Sequence, residues 1–352
     1  MFFKKKKEIV GFDIGSSSVK FVYLREAKGS YQLVDFGMAK LSDEAIVDNA
    51  IMDSSAVVDA VQELIATHSI KVKNVATSVS GHSVIIRKIQ MSIRTEEEME
   101  SSIQWEAEQY IPFEISEVNI DYQVLGPDEN DPSQINVILV AAKKDFVGDY
   151  LAVFKECGLT PLVLDIDCFA LENAFEANYS VAEDEIVALI NMGSEAMNVN
   201  VLKGGASVFT RDIQSGGKLY DEEIQKRFGL SAEDADRAKL GEEVGGADPA
   251  EVRQVINETT ENLTQEAQRS IDFFSATSAD EKVQKVYIAG GVAKVPNVVE
   301  MLAEKLGVPV EIIDPFKQIT VDESSFDLDY VADVAPMYVV AVGLAMRRLG
   351  DK

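Results

Sequence analysis

Short apolar runs separated by polar turns dominate the first 90 residues. Residues 8–14 (EIVGFDI) and 19–24 are apolar, and the Gly-Ser segment at 15–18 between them predicts a hairpin with a tight turn. Residues 53–67 place apolar side chains at helical spacing behind an Asp or Ser cap, which predicts a helix. Further strands are expected at 31–37, 73–79 and 84–90.

The pattern changes near residue 83, where a second type of unit begins. The spacing over residues 96–109 predicts a helix with Met99, Ile103 and Ala107 on one face, and the acidic residues that open it suit the helix dipole. Strands near 118–125 and 135–141 and a helix over 144–157 are expected to follow. We interpret this stretch as a small inserted β/α module.

The second half of the chain repeats the plan of the first. A strand, a Gly-Ser turn and a return strand occur at 9–24 and again at 186–202. Any hairpin needs a turn with glycine, so either copy alone is weak support, but together they predict two duplicated lobes around a ligand cleft. The other elements expected here are a strand at 206–213, helices up to 228 and over 231–240 and 250–277, a strand at 283–289, a helix from 296 and a final helix over 331–349.

These elements predict a division of the chain into lobes and an insertion. The first lobe is expected over residues 1–82, with a connecting segment at 161–185 after the inserted module at 83–160. The second lobe is expected over 186–330, with a helical subdomain at about 215–280. The last helix, 331–352, is predicted to return to the first lobe as a hinge.

The composition narrows the classes of partner. With 60 acidic and 33 basic residues the formal net charge is -27, which repels nucleic-acid phosphates and anionic lipids. Cys157 and Cys168 are expected to be reduced, buried thiols, and two histidines exclude a histidine-rich metal site. No apolar run suggests a membrane span. The N-terminal MFFKKKK (residues 1–7) fits either a solvated lead-in to the first strand or a membrane contact.

A phosphate-binding turn is predicted in the first hairpin, FDIGSSSVK at residues 12–20. Backbone N–H groups and hydroxyls in such a turn form a concavity that binds anions. Asp13 is placed to hold Mg²⁺ through water, and Gly15 allows close approach of a ligand to the backbone. An ordinary polar hairpin turn is the alternative interpretation.

This motif and the segment YIAGGVAKVP at 287–296 resemble the phosphate and adenosine motifs of the actin, sugar-kinase and heat-shock-chaperone superfamily. Within it, the chain resembles the PilM family of type IV pilus assembly and, more distantly, FtsA. The resemblance implies an α/β actin-like ATPase fold with RNase H-like lobes that bind ATP and Mg²⁺. The residues it assigns to the nucleotide are Asp13, Gly15, Ser16, Ser17, Ser18, Lys20, Asn191, Gly193, Ser194, Gly216, Gly217, Asp236, Lys239, Gly290, Gly291 and Lys294.

Several of these residues also have a plain structural interpretation. Asp236 and Lys239 form an ordinary i, i+3 pair on a helix, and Gly216 and Gly217 suit a loop that leads into a helix. Of Asp165 and Asp167, Asp167 better fits the residue that orients the attacking water. It fits the N-cap of a helix at 168–177 equally well.

The second phosphate motif departs from the family pattern. Asn191 stands in place of a carboxylate and Ala196 in place of a hydroxyl, while Asn198 replaces a second Asp and Glu195 adds negative charge near the phosphates. Each change removes electrostatic stabilisation of phosphoryl transfer. ATP hydrolysis is therefore expected to be slow or absent, and ATP affinity is itself in question.

Residues 103–113 (IQWEAEQYIPF) carry the part of the resemblance that is most specific to the PilM family. The resemblance implies an adaptor at the cytoplasmic face of the inner membrane that binds the N-terminal tail of PilN, with the inner-membrane pilus complex and pilus motor ATPases as further partners. Aromatic anchors beside acidic residues suit a peptide groove, and cementing the module to the first lobe is the alternative. An active ATPase and an FtsA-type filament are the competing functions. The candidate contact residues are Trp105, Tyr110, Ile111, Pro112 and Phe113.

Overall fold

The computed structural model describes residues 8–27, 29–92, 95–128, 131–278 and 281–351. The prediction for the N-terminal MFFKKKK falls outside these residues. The described chain forms two five-stranded sheets, a three-stranded sheet and a two-stranded hairpin.

The first five-stranded sheet has the order β10-β6-β1-β2-β3. In chain order, β1, β2 and β3 form antiparallel pairs, and β6 and β10 run parallel to β1. We call this sheet and the helices packed on it the first lobe. Its strands are β1 (Val10–Ile14), β2 (Ser18–Ala27), β3 (Ser30–Lys40), β6 (Asn74–Val79) and β10 (Thr160–Ile166), and β4 (Ile46–Val47) and β5 (Ala50–Ile51) form the separate hairpin.

The second sheet repeats this topology strand for strand, with the order β13-β12-β11-β14-β15. A hairpin, a third antiparallel strand and two parallel strands follow one another in both sheets, so the repeat predicted from the Gly-Ser turns extends over all five strands. We call this sheet and its helices the second lobe. Its strands are β11 (Ile186–Met192), β12 (Met197–Lys203), β13 (Ala206–Ile213), β14 (Lys285–Ala289) and β15 (Val310–Ile312).

The inserted module is a three-stranded sheet covered by one helix. Its strands β7 (Val84–Ser92), β8 (Val118–Pro127) and β9 (Gln134–Lys143) have the order β7-β9-β8, and α2 (Glu96–Ala107) covers one face. Thr95 and Glu98 form a capping box at the start of α2, which satisfies free N–H groups in its first turn. Met99, Ile103 and Ala107 face the sheet as their spacing predicts.

The remaining elements agree with the expected ones except at two places. Asp53 caps α1, as its position before the apolar run predicts. The helices are α1 (Ser54–Thr67), α3 (Lys144–Glu156), α4 (Asp167–Asn178), α5 (Lys218–Phe228), α6 (Ala232–Lys239), α7 (Pro249–Thr277), α8 (Val298–Leu306), α9 (Leu328–Val334) and α10 (Val339–Met346).

The first difference is the final helix, predicted as one piece over 331–349. A 3-10 turn at Ala335–Tyr338 separates α9 from α10, and α10 ends at Met346. Pro336 has no N–H and cannot continue an α-helical ladder, which explains the break. The second difference is the four strands β4, β5, β10 and β15, which were not predicted: β4, β5 and β15 have only two or three residues, and β10 lacks alternation of apolar and polar residues.

A close helix crossing joins the two lobes. A Cβ on Gly343 of α10 would lie 1.8 Å from the carbonyl oxygen of Ala170 in α4, and a Cβ on Gly11 of β1 would lie 2.3 Å from the carbonyl oxygen of Ala341. α4 and α10 share one apolar core with residues from both sheets. Among the described residues one helical stretch, Leu328–Met346, is long and apolar enough to cross a membrane, and 67% of it is buried inside this core.

Two buried polar contacts accompany this crossing. Asp165 Oδ2 at the end of β10 lies 3.3 Å from Nε of Arg347, just after α10, and burial raises the pKa of Asp165 against the opposing charge of Arg347. On α4, Glu172 accepts a hydrogen bond from Asn200 of β12 at 3.0 Å. Burial raises the pKa of Glu172 to about 8. The crossing of α4 and α10 therefore buries ionisable groups as well as apolar ones.

We predict that Gly343→Ala destabilises the protein by about 1–3 kcal/mol or more, because its Cβ cannot fit against Ala170 without moving α4 or α10. Urea unfolding measures this change. The matched control is Gly148→Ala on the exposed face of α3, where a Cβ meets nothing within 4 Å and should stabilise the helix by up to about 1 kcal/mol. Equal effects at both positions would contradict the close crossing.

We predict that Glu172→Gln stabilises the protein increasingly as pH rises from about 5 to 8. The folded pKa of Glu172 lies above its unfolded value, so the folded state holds the proton and wild-type stability falls as pH rises through this window. Free energies of unfolding at several pH values give the difference between variant and wild type. The exposed Glu63→Gln on α1 serves as control, and an equal trend there would exclude Glu172 as the cause.

Candidate functional site

The first phosphate hairpin places a carboxylate opposite an ammonium group. Asp13 and Lys20 face each other in the β1–β2 register, and Lys20 Nζ lies 3.4 Å from Asp13 Oδ2 with both side chains largely buried. Ser18 lies two residues before Lys20 on β2 and therefore on the same face. Its hydroxyl is buried and has no hydrogen-bond partner within the described residues, so an anion there would satisfy it.

Asp167 is a partly buried carboxylic acid that lies near this hairpin. Burial, and next the negative charge of Asp13, raise the pKa of Asp167 to about 6 against opposing hydrogen bonds from Ser78 and Ser80. The N-cap of α4 is Ile166 and no side chain caps the helix, so the capping interpretation of Asp167 is wrong. Its carboxylate instead faces the same region as that of Asp13.

The second phosphate hairpin has an amide pair where the first has an ion pair. Asn191 and Asn198 are opposite each other in the β11–β12 register, and Asn191 Nδ2 donates to Asn198 Oδ1 at 3.3 Å. The turn beyond them is closed internally. Gly217 N–H donates to the carbonyl of Gly193 at 2.9 Å and Lys218 N–H to that of Ser194 at 2.8 Å.

Glu195 completes this closure. Its carboxylate accepts a hydrogen bond from Lys218 Nζ at 3.0 Å, at the start of α5. A Cβ on Gly216 would lie 2.4 Å from the Ser194 carbonyl oxygen, so this glycine is required by packing of the loop on the hairpin. The structure thus gives the glycine pair a structural role and uses N–H groups that the phosphate interpretation would aim at a ligand.

The adenosine motif lies against the second phosphate strand. Gly290 has φ +87° and its Cβ would be 2.3 Å from the carbonyl oxygen of Met192, whereas a Cβ on Gly291 would meet nothing within 4 Å. Lys294 Nζ pairs with Asp333 of α9 at 2.5 Å. The Gly290 position is dictated by the fold, but Gly291 leaves open space beside the backbone.

Asp236 and Lys239 form the expected i, i+3 pair on α6, with 2.8 Å between carboxylate and ammonium. Lys239 also bonds Asp221 of α5 at 2.9 Å, and Lys40 of the first lobe lies 3.9 Å from Asp236. The pair therefore sits where α6 approaches the first lobe. A cavity of about 120 Å³ opens next to it, lined in part by Ala238, Gly241 and Pro296.

The first hairpin fits the phosphates of a magnesium nucleotide better than the second hairpin does. Asp13, the free Ser18 hydroxyl and the uncrowded Gly15 and Gly291 fit phosphates and a ribose or base. Within the described ranges no cluster of three or more His, Cys, Asp or Glu could hold a metal ion. A magnesium ion here would depend on the phosphates and on water together with Asp13.

The module carries an exposed aromatic surface. Trp105 is 73% exposed and Tyr110 39% exposed at the end of α2. Ile111 is buried in the module core, and Phe113 packs against that core under Lys143, whose Nζ lies 4.5 Å from the ring centroid. Trp105 thus stays exposed, whereas Ile111 and Phe113 pack in the module's own core. Pro112 is exposed beside them.

Sequence reasoning missed several polar residues of the cleft. Ser78 and Ser80 lie at the carboxyl end of the parallel strand β6, where ligands of open α/β sheets bind, and that position was an available signal. Asp212 on β13 bonds both Asn198 and the backbone of Gly81. Nothing in the sequence marks Asp212, because its partners are far from it along the chain.

Known structures share this architecture. The PilM-PilN type IV pilus biogenesis complex contains a chain that matches with a TM-score of 0.88 at 27% identity, over 99% of this chain and 100% of that one. MreB5 of Spiroplasma citri bound to AMPPNP matches with a TM-score of 0.54 at 12% identity, over 96% and 95% of the two chains. The latter likeness shows the fold alone. The predicted actin-like ATPase fold is confirmed.

Sequence comparison agrees with the structural one. The cell division protein FtsA of Enterococcus hirae is 23% identical over 382 residues, which cover 94% of this chain and 85% of that protein. The sequence profile of the family described as type IV pilus assembly protein PilM matches residues 11–349, nearly the whole chain. The chain belongs to the PilM family of type IV pilus assembly proteins.

Proposed function

We propose that this chain is an adaptor of pilus assembly that binds the cytoplasmic N-terminal tail of PilN on its module, with ATP and Mg²⁺ tuning that binding. The observation that carries the proposal is the exposed Trp105. A large aromatic ring left in water on a well-packed helix is typical of an interface anchor.

The surroundings of Trp105 favour a peptide as the occupant. Glu108 and Glu114 are exposed and Glu106 is partly buried, all close to Trp105 and Tyr110 along the chain, so apolar anchors stand beside negative charge. Such a surface suits a segment with apolar side chains and basic flanks. The similar chain of known structure was solved in a PilM-PilN complex, which supports the tail of PilN as this segment.

Binding to an inner-membrane protein would place the chain at the cytoplasmic face of that membrane. No segment of its own needs to enter the bilayer for this, because the apolar stretch Leu328–Met346 is mostly buried in the hinge. Pilus motor ATPases are further candidate partners within the same assembly.

ATP is the proposed ligand of the cleft. Asp13 would organise the hydrated Mg²⁺, and the hydroxyls of Ser16, Ser17 and Ser18 with Lys20 would hold phosphate oxygens. Gly291, Lys294, Asp236 and Lys239 would line the adenosine. Binding across both lobes would favour one degree of closure, which is how nucleotide could shift the affinity for the partner.

Hydrolysis is proposed to be slow or absent. The amides of Asn191 and Asn198 cannot supply the charge of a carboxylate, and Glu195 adds negative charge at the same turn. These features favour the adaptor over a fast enzyme.

One observation favours a residual ATPase as the second candidate. Asp167 has a pKa of about 6 and lies near Asp13, as a general base for an attacking water would require. Under this alternative Asp167→Asn abolishes any slow phosphate release. Unchanged release in the variant would exclude Asp167 as the base.

We predict that ATP–Mg²⁺ binds the purified protein and that Asp13→Asn weakens binding about tenfold or more, because the amide loses the charge-assisted contact to the hydrated metal. Isothermal titration calorimetry measures both affinities. The control is Asp272→Asn, which makes the same change at an exposed position on α7, away from the residues proposed to hold the nucleotide, and should leave the affinity unchanged. No binding at millimolar ATP would leave a nucleotide-independent scaffold.

We predict that Trp105→Ala weakens binding of a synthetic PilN tail about thirtyfold, the factor that corresponds to the loss of about 2 kcal/mol at an aromatic anchor. Fluorescence anisotropy of a labelled peptide gives the affinity. Phe273→Ala is the matched control, because Phe273 is an exposed aromatic residue at 53% on the second lobe. An equal loss in the control would argue against the module as the binding surface.

A further inference from the structure

Asp212 joins the two lobes across the cleft. Its Oδ2 accepts a hydrogen bond from the backbone N–H of Gly81 at 2.7 Å, and its Oδ1 accepts one from Asn198 Nδ2 at 2.7 Å. Gly81 belongs to the first lobe at the end of β6, and Asn198 to the phosphate hairpin of the second lobe. Asn200 of β12 also donates to Glu172 of α4 at 3.0 Å, but that contact lies at the helix crossing, whereas Lys40 and Asp236 are 3.9 Å apart and exposed.

Gly81 is held in the orientation that this bond needs. Its φ is +88°, and a Cβ would lie 2.5 Å from Asn49 Nδ2, so the position admits only glycine without rearrangement. Asn49 is in turn fixed by Ser80 and by Tyr150, whose hydroxyl donates to its carbonyl at 2.8 Å. The N–H of Gly81 is therefore aimed at Asp212 by the first lobe itself.

Gly81 is also the root of the inserted module. Its carbonyl accepts a hydrogen bond from Val84 N–H at 2.9 Å, and Val84 is the first residue of β7. A displacement of Gly81 is transmitted to the strand that leads into the three-stranded sheet. The contact from Asp212 thus ends where the module begins.

The contact with Asp212 accounts for Asn198, which stands where the wider superfamily pattern has a second Asp. Asn198 Nδ2 donates to Asp212, and its Oδ1 accepts from Asn191 Nδ2. An aspartate at 198 would place one carboxylate against another at hydrogen-bond distance, in a region that already contains Asp13 and Asp167. The side-chain amide of Asn198 supplies the N–H donor that the carboxylate of Asp212 needs.

We propose that Asn198, Asp212 and Gly81 form an interlobe clasp that couples the second phosphate hairpin to the first strand of the inserted module. Asp212 is accessible to water, so the clasp can open and close without rearrangement of a buried core. The position of the hairpin then sets how firmly the root of β7 is held. The clasp is a property of the chain alone and does not depend on the proposed ligands.

A charge-swap series tests the clasp in the full-length protein without nucleotide or peptide. Asn198→Asp sets two carboxylates against each other, and Asp212→Asn leaves one donor facing another. In the double variant the amide at 212 can donate to the carboxylate at 198 and accept from Gly81, so the clasp re-forms. The control Asn257→Asp makes the same charge change on the exposed face of α7.

Hydrogen–deuterium exchange followed by mass spectrometry reports on residues 80–92. Each single variant is expected to raise exchange there about threefold to tenfold, the factor that the loss of an ordinary hydrogen bond represents. The double variant should return to within about twofold of wild type, a margin smaller than one such bond. Exchange in α7 should not change, which separates opening of the clasp from general unfolding.

Two results would overturn the proposal. Unchanged exchange at 80–92 in Asp212→Asn would mean that the contact does not restrain the start of β7. Faster exchange that the double variant fails to reverse would mean that the Asn198–Asp212 pair is not its cause. Because neither ATP nor PilN enters the assay, failure here is distinct from failure of the adaptor function.

Discussion

The structure depends on the crossing of α4 and α10 between two duplicated sheets. Side chains from both sheets pack on this helix pair, and the contact is close enough that Gly343 admits no Cβ against Ala170. A crossing of this kind fixes where the lobes meet, because the buried contact cannot shift without moving one of the two helices. The cleft, the phosphate hairpins and the module are all placed by it.

The two hairpins that face the cleft have the same topology and opposite chemistry. Asp13 and Lys20 form an ion pair beside an unpartnered Ser18 hydroxyl, whereas Asn191 and Asn198 form an amide pair whose turn is closed by Glu195 and Lys218. The first hairpin retains groups for a ligand. The second uses its polar groups for contacts within the chain, including the link to Asp212. This division suits a protein that senses closure of its lobes more than one that cleaves a phosphate bond.

Elements whose residues show a regular apolar spacing were predicted from the sequence. Features that depend on contacts between residues far apart along the chain were not. The Gly-Ser turns predicted the duplicated hairpins, and the spacing of Met99, Ile103 and Ala107 predicted the covered face of α2. The break at Pro336 and the strands β10 and β15 were missed, since β10 lacks alternation of apolar and polar residues and β15 has only three residues. The environment of Asp167 and the link from Asp212 to Gly81 could not be read from the sequence, because burial and contacts with residues distant along the chain define them. The division into lobes and the nucleotide residues stay predictions.

The proposed function requires that nucleotide binding and partner binding are coupled. The most direct measurement is the affinity of the PilN tail peptide with and without saturating ATP–Mg²⁺, in wild type and in Asp13→Asn. Linkage predicts that ATP changes the peptide affinity of wild type about fivefold or more, that peptide changes ATP affinity by the same factor, and that the variant needs about tenfold more ATP to show the effect. Tight peptide binding that is identical with and without bound ATP would contradict the account.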